Sequence, residues 1–173
     1  MRDLRKLNYF IRRTSFLYAF FVLALILVCG ITLIDLIFEE LLGGRDGQYN
    51  IIFVDNPHRR SSYSSLIFGA VIFAPLIETL IFQVAVFHLL RLIKWSKKRE
   101  YRIVLIGGIL FGIVHFFSLF HIILATILGF FFMYVYIARY HKGGYWMVVL
   151  LHAFVNGLTI LVDFFSAESV FVF

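Results

Sequence analysis

The stretch SSLIFGAVIFAPLIETLIFQVAVFHLLRL, residues 64–92, decides what kind of molecule this is. A helix needs about 20 apolar residues to cross the roughly 30 Å hydrocarbon core of a bilayer. The run meets that length although Glu78, Thr79 and Gln83 interrupt it. A carboxylate at such depth costs about 2.5–3.5 kcal/mol on insertion, so its presence marks a candidate for chemistry.

The rest of the chain has the same character. Of 173 residues, 62% are hydrophobic and 15% charged, with a mean hydropathy of +0.94. Globular domains average about 45–50% apolar and about 25% charged residues, so lipid must solvate the excess and a soluble enzyme is excluded. Four further apolar runs lie near 16–38, 103–118, 121–139 and 145–165. The expected fold is an all-α integral membrane protein, a bundle of about five transmembrane helices with an intramembrane polar site. The run at 103–118 spans only about 24 Å as a helix. It is expected to end inside the protein or short of the far surface, near Phe117 and Ser118. Arg12 and Arg13 precede the first run as they would in a signal peptide, but its length and the missing small-x-small cleavage site predict a retained helix. By this reading residues 1–63 form a basic segment, the first helix and an outer loop, 64–165 the helical core, and 166–173 a tail.

The basic residues set the orientation. Arg2, Arg5, Lys6, Arg12 and Arg13 precede the first span; Arg91, Lys94, Lys97, Lys98, Arg99 and Arg102 separate the second from the third; Arg139 and Lys142 precede the fifth. Only Arg45, Arg59 and Arg60 fall on the other side, so the positive-inside rule predicts a cytoplasmic N-terminus. The net charge of +6 therefore reads as membrane flanks rather than a nucleic-acid surface, because the cations adjoin apolar segments. The single cysteine, Cys29, excludes an intrachain disulfide and any Cys-rich metal centre.

Polar residues recur inside three runs: Glu78 with Thr79 and Gln83, then His115, then His152 with Asn156. Counted from the cytoplasmic ends at 1.5 Å per residue, Glu78, His115, Asn156 and His152 lie at depths of about 20, 18, 16 and 10 Å. His152 and Asn156 are four apart and share a helix face. This convergence predicts one shared site. No G-x-S-x-G, H-E-x-x-H or G-x-G-D sequence occurs, which leaves water as the nucleophile. A carboxylate beside an imidazole, Glu78 with His115, is suited to act as a general base toward water. His152 and the Asn156 amide are suited to donate to an oxyanion. The remaining polar residues read as structural. His88, His121, His58 and His141 fall at interfaces or in loops, Asp35 and Asp163 near outer span ends, and Gly107, Gly108 and Gly112 read as helix packing. Pro75 frees a carbonyl one turn earlier and is expected to bend its helix.

Three motifs carry a family resemblance. APLIETLIFQ (74–83) resembles the A-P-x-x-E-E-x-x-F-R motif, FGIVH (111–115) the F-x-x-x-H motif, and HAFVN (152–156) the H-x-x-x-N motif of the CPBP family of CAAX-protease and Abi-type intramembrane proteases. Glu78 to His115 and His115 to His152 are both 37 residues apart, and Gly129 and GGYWMVVLLHA (143–153) are also similar to the family pattern. The resemblance covers about residues 64–160 and identifies 64–165 as a catalytic core. It implies an intramembrane endopeptidase acting on a membrane-associated protein or peptide, with Glu78 activating water, His115 as its partner, and His152 with Asn156 stabilising the oxyanion. It implies no required cofactor, although Glu78 and two histidines are also a donor set for zinc with one open position. Prenylated CAAX tails are substrates of eukaryotic relatives; bacterial relatives process peptides or confer bacteriocin immunity. The short, Cys-poor chain with no evident eukaryotic targeting signal points to the bacterial cytoplasmic membrane. Thr79 and Gln83 stand where the family has a glutamate and an arginine. Four apart on a helix, they are expected to form a neutral hydrogen-bonded pair in place of an ion pair. A non-catalytic membrane protein, whether proton relay, scaffold or immunity pseudo-protease, stays open as the alternative.

Overall fold

The computed structural model describes residues 9–42, 65, 67–95, 99–116 and 119–170, and every regular element among them is helical. After a helical turn at 9–13 come α1 (Phe16–Leu42), α2 (Ile67–Leu92), α3 (Glu100–Ile113), α4 (Leu119–Ala138) and α5 (Gly144–Val170). Four of these are long and apolar enough to cross a membrane, over Phe16–Ile37, Ile67–Leu92, Leu119–Ala138 and Gly144–Val162. The chain is an all-α integral membrane protein. The short third run is the 14-residue α3, about 21 Å long, which ends at Ile113 and turns through Val114, His115 and Phe116. Most of the expected outer loop, together with Phe117, Ser118, Arg45, His58, Arg59 and Arg60, lies outside the described residues.

In lipid, helices gain nothing from hiding apolar surface from water, so association depends on close packing. The largest interface joins α3 and α4. Glycines make it possible: a Cβ on Gly108 would lie 2.0 Å from a Phe130 ring carbon, one on Gly112 1.8 Å from the Thr126 hydroxyl, and one on Gly129 2.9 Å from the Gly108 Cα. The packing role expected for the α3 glycines is therefore what the backbones require. Helix α1 buries the stripe Ala19, Leu23, Ala24 and Leu27, spaced for one helix face, and packs mainly on α5. Phe20 meets Phe154 of α5 edge to face at 6.2 Å.

Helix α2 is wound unevenly. Ile67–Phe73 and Thr79–Ala85 are π-helical, separated by the α-helical turn Ala74–Glu78 and followed by α-helix from Val86. Pro75 sits at the start of the first α-helical turn. It has no N–H and its ring crowds the carbonyl of the preceding turn. In the i→i+5 pattern the partner of the Ala70 carbonyl would be the nitrogen of residue 75, and proline has no hydrogen there to give.

The turn joining α4 to α5 anchors the N-terminal segment. Arg139 is 3% exposed, and its Nη1 donates to the carbonyls of Ile11 at 2.8 Å and Thr14 at 3.3 Å. Its guanidinium also lies over the Phe16 ring at 5.6 Å. A buried cation survives here because backbone carbonyls replace its hydration. Gly143 reverses the chain with φ of +75°, a left-handed conformation that glycine adopts without a Cβ penalty.

Candidate active site

Three helices bring their ionisable side chains together. The Nε2 of His115 lies 3.7 Å from Glu78 Oε2, and the Nε2 of His152 lies 3.8 Å from the same oxygen. The Glu78 and His115 side chains are 27% and 25% exposed, against 6% for His152. The site thus has an accessible half and a sealed half.

Local structure explains each position. Glu78 ends the α-helical turn begun by Pro75 and directly precedes the second π-helical segment. His115 is just past the end of α3, where its backbone N–H donates to the Gly112 carbonyl at 3.0 Å. Its Nδ1 pairs with the Phe111 carbonyl at 2.7 Å. Since a carbonyl only accepts, this contact fixes the tautomer with hydrogen on Nδ1, leaving Nε2 of the neutral ring as a lone pair toward Glu78. His152 sits in α5 between aromatic rings, 5.1 Å from Phe132 and 5.6 Å from Phe111. Phe111 also stacks on His115 at 4.6 Å and so separates and orients both imidazoles.

Asn156 is one turn beyond His152, but its Nδ2 donates to the carbonyl of Ala70 at 2.8 Å. That is the carbonyl whose i→i+5 donor position Pro75 occupies, so the amide supplies a hydrogen that the proline cannot. Tyr145, two turns before His152, donates its hydroxyl to the Leu76 carbonyl at 3.2 Å. Together the two side chains staple α5 to α2 on either side of Pro75.

Thr79 and Gln83 are both 0% exposed. The expected hydrogen bond between them is absent: the Thr79 hydroxyl and both amide atoms of Gln83 are buried without a hydrogen-bond partner among the described residues. Their spacing puts them on one side of α2, yet each is packed inward separately, so proximity along the helix does not become a bond. His152 Nδ1 is unpartnered in the same way.

Zinc needs ligand atoms converging to about 2.0–2.2 Å from one point. Among the described residues no three His, Cys, Asp or Glu side chains are grouped to do so.

Sequence reasoning named Phe111 only as the first residue of the FGIVH motif, and missed that it and Phe132 wall the site and that Tyr145 is a staple. Phe111 was within reach, because it precedes His115 by one turn. Phe132 and Tyr145 carry no local signal that separates them from the other aromatic residues of the spans.

No curated protein and no solved structure matches the chain. The sequence model described as type II CAAX prenyl endopeptidase Rce1-like matches residues 60–158, which include α2 to α4 and the part of α5 bearing His152 and Asn156. That match extends over more than half of the 173 residues. Proteases of this kind act within membranes on membrane-associated proteins, and this chain, with its apolar helices and its Glu78, His115 and His152 cluster, belongs to the Rce1-like family of type II CAAX endopeptidases.

Proposed function

We propose that this protein hydrolyses a peptide bond in a membrane-associated protein or peptide by a glutamate-activated water mechanism. The observation that carries the reading is the pair of distances from Glu78 Oε2 to the two imidazoles, 3.7 and 3.8 Å. Both are too long for a direct hydrogen bond. Both suit groups that share one small molecule, since a water at about 2.8 Å from two atoms bridges such a gap.

Glu78, whose Oε2 is buried without a hydrogen-bond partner among the described residues, and His115 hold the water between them. As the water oxygen attacks the scissile carbonyl carbon, Glu78 takes its proton and a tetrahedral oxyanion forms. His152, with hydrogen on Nε2, donates to that oxyanion in surroundings of low dielectric, where one donor is worth about 2.7–4 kcal/mol. The intermediate collapses with cleavage of the C–N bond while the Glu78 proton passes to the leaving amine. Asn156 acts in this scheme through its grip on Ala70, and its second amide hydrogen remains as a further donor. No cofactor is needed. The excess of cations beside one set of span ends supports a cytoplasmic N-terminus.

The test compares membrane peptidomes of cells producing wild type or Glu78→Gln at equal abundance. A precursor that accumulates only with Glu78→Gln supports the mechanism and identifies the substrate. Identical peptidomes, with both proteins folded, would favour a scaffold or relay in place of an enzyme.

A further inference from the structure

Two adjoining cavities lie at the basic end of the bundle, remote along α2 and α3 from Glu78 and His115. One is an apolar groove of about 370 Å³ between α3 and α4, walled by Tyr101, Val104, Leu105, Tyr134 and Ile137. The other, of about 340 Å³, gathers Arg12, Arg91 and Lys142 around Phe87 and Tyr140. Arg12, Glu100, Ile137 and Ala138 line both, so the basic cavity continues into the apolar groove.

The charges are unbalanced. Three cations face one carboxylate, Glu100, and none of the four makes a salt bridge among the described residues. Other basic residues nearby are already engaged: Arg102 donates to the Trp95 carbonyl at 2.7 Å and stacks over its ring at 3.9 Å. Two of the three cations are held in place instead. Arg91 lies over the Phe87 ring at 5.2 Å. Arg12 belongs to the helical turn that Arg139 fastens through Ile11 and Thr14. In the apolar groove, the Tyr134 hydroxyl is buried without a hydrogen-bond partner among the described residues.

We propose that this end of the molecule binds one anionic glycerophospholipid, its phosphate among Arg12, Arg91 and Lys142 and an acyl chain in the α3–α4 groove. The groove is open on the side that faces lipid, where Tyr101 and Leu105 are about half exposed. A phosphodiester relieves the repulsion among the cations, and an acyl chain matches the apolar walls Val104, Leu105 and Ile137. Basic pockets between transmembrane helices recognise anionic headgroups by this combination. The site is independent of the protease reading, since it uses none of the residues around Glu78.

The experiment uses full-length protein in detergent, read by native mass spectrometry, with dioleoyl phosphatidylglycerol, dioleoyl phosphatidylcholine and glycerol 3-phosphate as probes. Phosphatidylglycerol is expected to bind about 10-fold more tightly than phosphatidylcholine, and the Arg91→Ala/Lys142→Ala variant to lose that preference. Leu105→Trp, which fills the groove without touching a charge, is expected to weaken both lipids. Glu100→Gln, which removes the opposing charge, is expected to strengthen phosphatidylglycerol binding about threefold, a gain that misfolding cannot mimic. Equal binding of the two lipids, a preference that survives loss of Arg91 and Lys142, or glycerol 3-phosphate binding as tightly as phosphatidylglycerol would each overturn the proposal.

Discussion

The Asn156 amide donates at 2.8 Å to the Ala70 carbonyl, whose i→i+5 donor position is occupied by Pro75, a residue with no N–H. One side chain of α5 thus completes the hydrogen bonding of α2 five residues from the proline and eight from Glu78. Removing one partner of a fully buried hydrogen bond costs about 1–3 kcal/mol, and this one is partly buried, which places it toward the lower end. Asn156→Ala is expected to lower stability by that amount and to loosen the turn carrying Glu78. In Pro75→Ala the restored N–H can bond Ala70, so the same asparagine substitution should cost less. A thermal unfolding cycle over both single variants and the double variant measures the coupling. Additive effects would show that the amide does not serve this carbonyl.

The two histidines should separate stability from activity. His152 is 5% exposed and packed between Phe111 and Phe132, so His152→Ala leaves a cavity and is expected to cost about 2–4 kcal/mol. His115 is one-quarter exposed at the end of α3, and His115→Ala should leave the unfolding temperature within a few degrees of wild type. Both are expected to reduce cleavage of the natural substrate by about 10²–10⁴-fold. A His115→Ala protein that remains fully active would remove this residue from the water-activating pair.

Much of this arrangement can be read from residue order. The lengths of the apolar runs yield the helices, because a bilayer accepts little else. The depths of Glu78, His115 and His152 bring them to one layer, and both imidazoles do lie within 4 Å of the Glu78 carboxylate. What escapes such reading depends on backbone groups or on tertiary direction. The partner of Asn156 is a carbonyl whose availability follows from π-helical winding before Pro75, and a side-chain pattern cannot encode that winding. Thr79 and Gln83, four apart and fully buried in α2, do not bond each other, so spacing along the helix alone does not decide the pairing. Arg139 looks like one more cation in a basic turn, whereas its guanidinium is buried under a segment that precedes it by more than a hundred residues.

The glycines of α3 and α4 link packing to the site. A Cβ on Gly112 would lie 1.8 Å from the Thr126 hydroxyl oxygen and 2.9 Å from the Ile122 carbonyl oxygen, and the Gly112 carbonyl receives the backbone N–H of His115. Gly112→Ala must therefore separate α3 from α4 next to the histidine. The expected cost is about 1–3 kcal/mol of stability, with a fall in activity larger than the unfolded fraction accounts for. Restoring space with Thr126→Ala in the same chain should recover part of both. If Gly112→Ala unfolds at the wild-type temperature, the close crossing is not what holds the helices.

Arg139 offers the cleanest test of long-range anchoring. Its Nη1 is shared by the carbonyls of Ile11 and Thr14, both ahead of α1. Hydrogen bonds from a charged donor contribute about 1.5–3 kcal/mol, so Arg139→Ala is expected to release residues 9–15 while α2 to α5 stay folded. Hydrogen exchange followed by mass spectrometry should show faster exchange in that segment and unchanged protection around Leu151. Arg139→Lys, a compact ammonium without the planar fork, is expected to restore little of the protection. Uniform exchange in wild type and Arg139→Ala would mean that the segment is held by the burial of Ile11 alone.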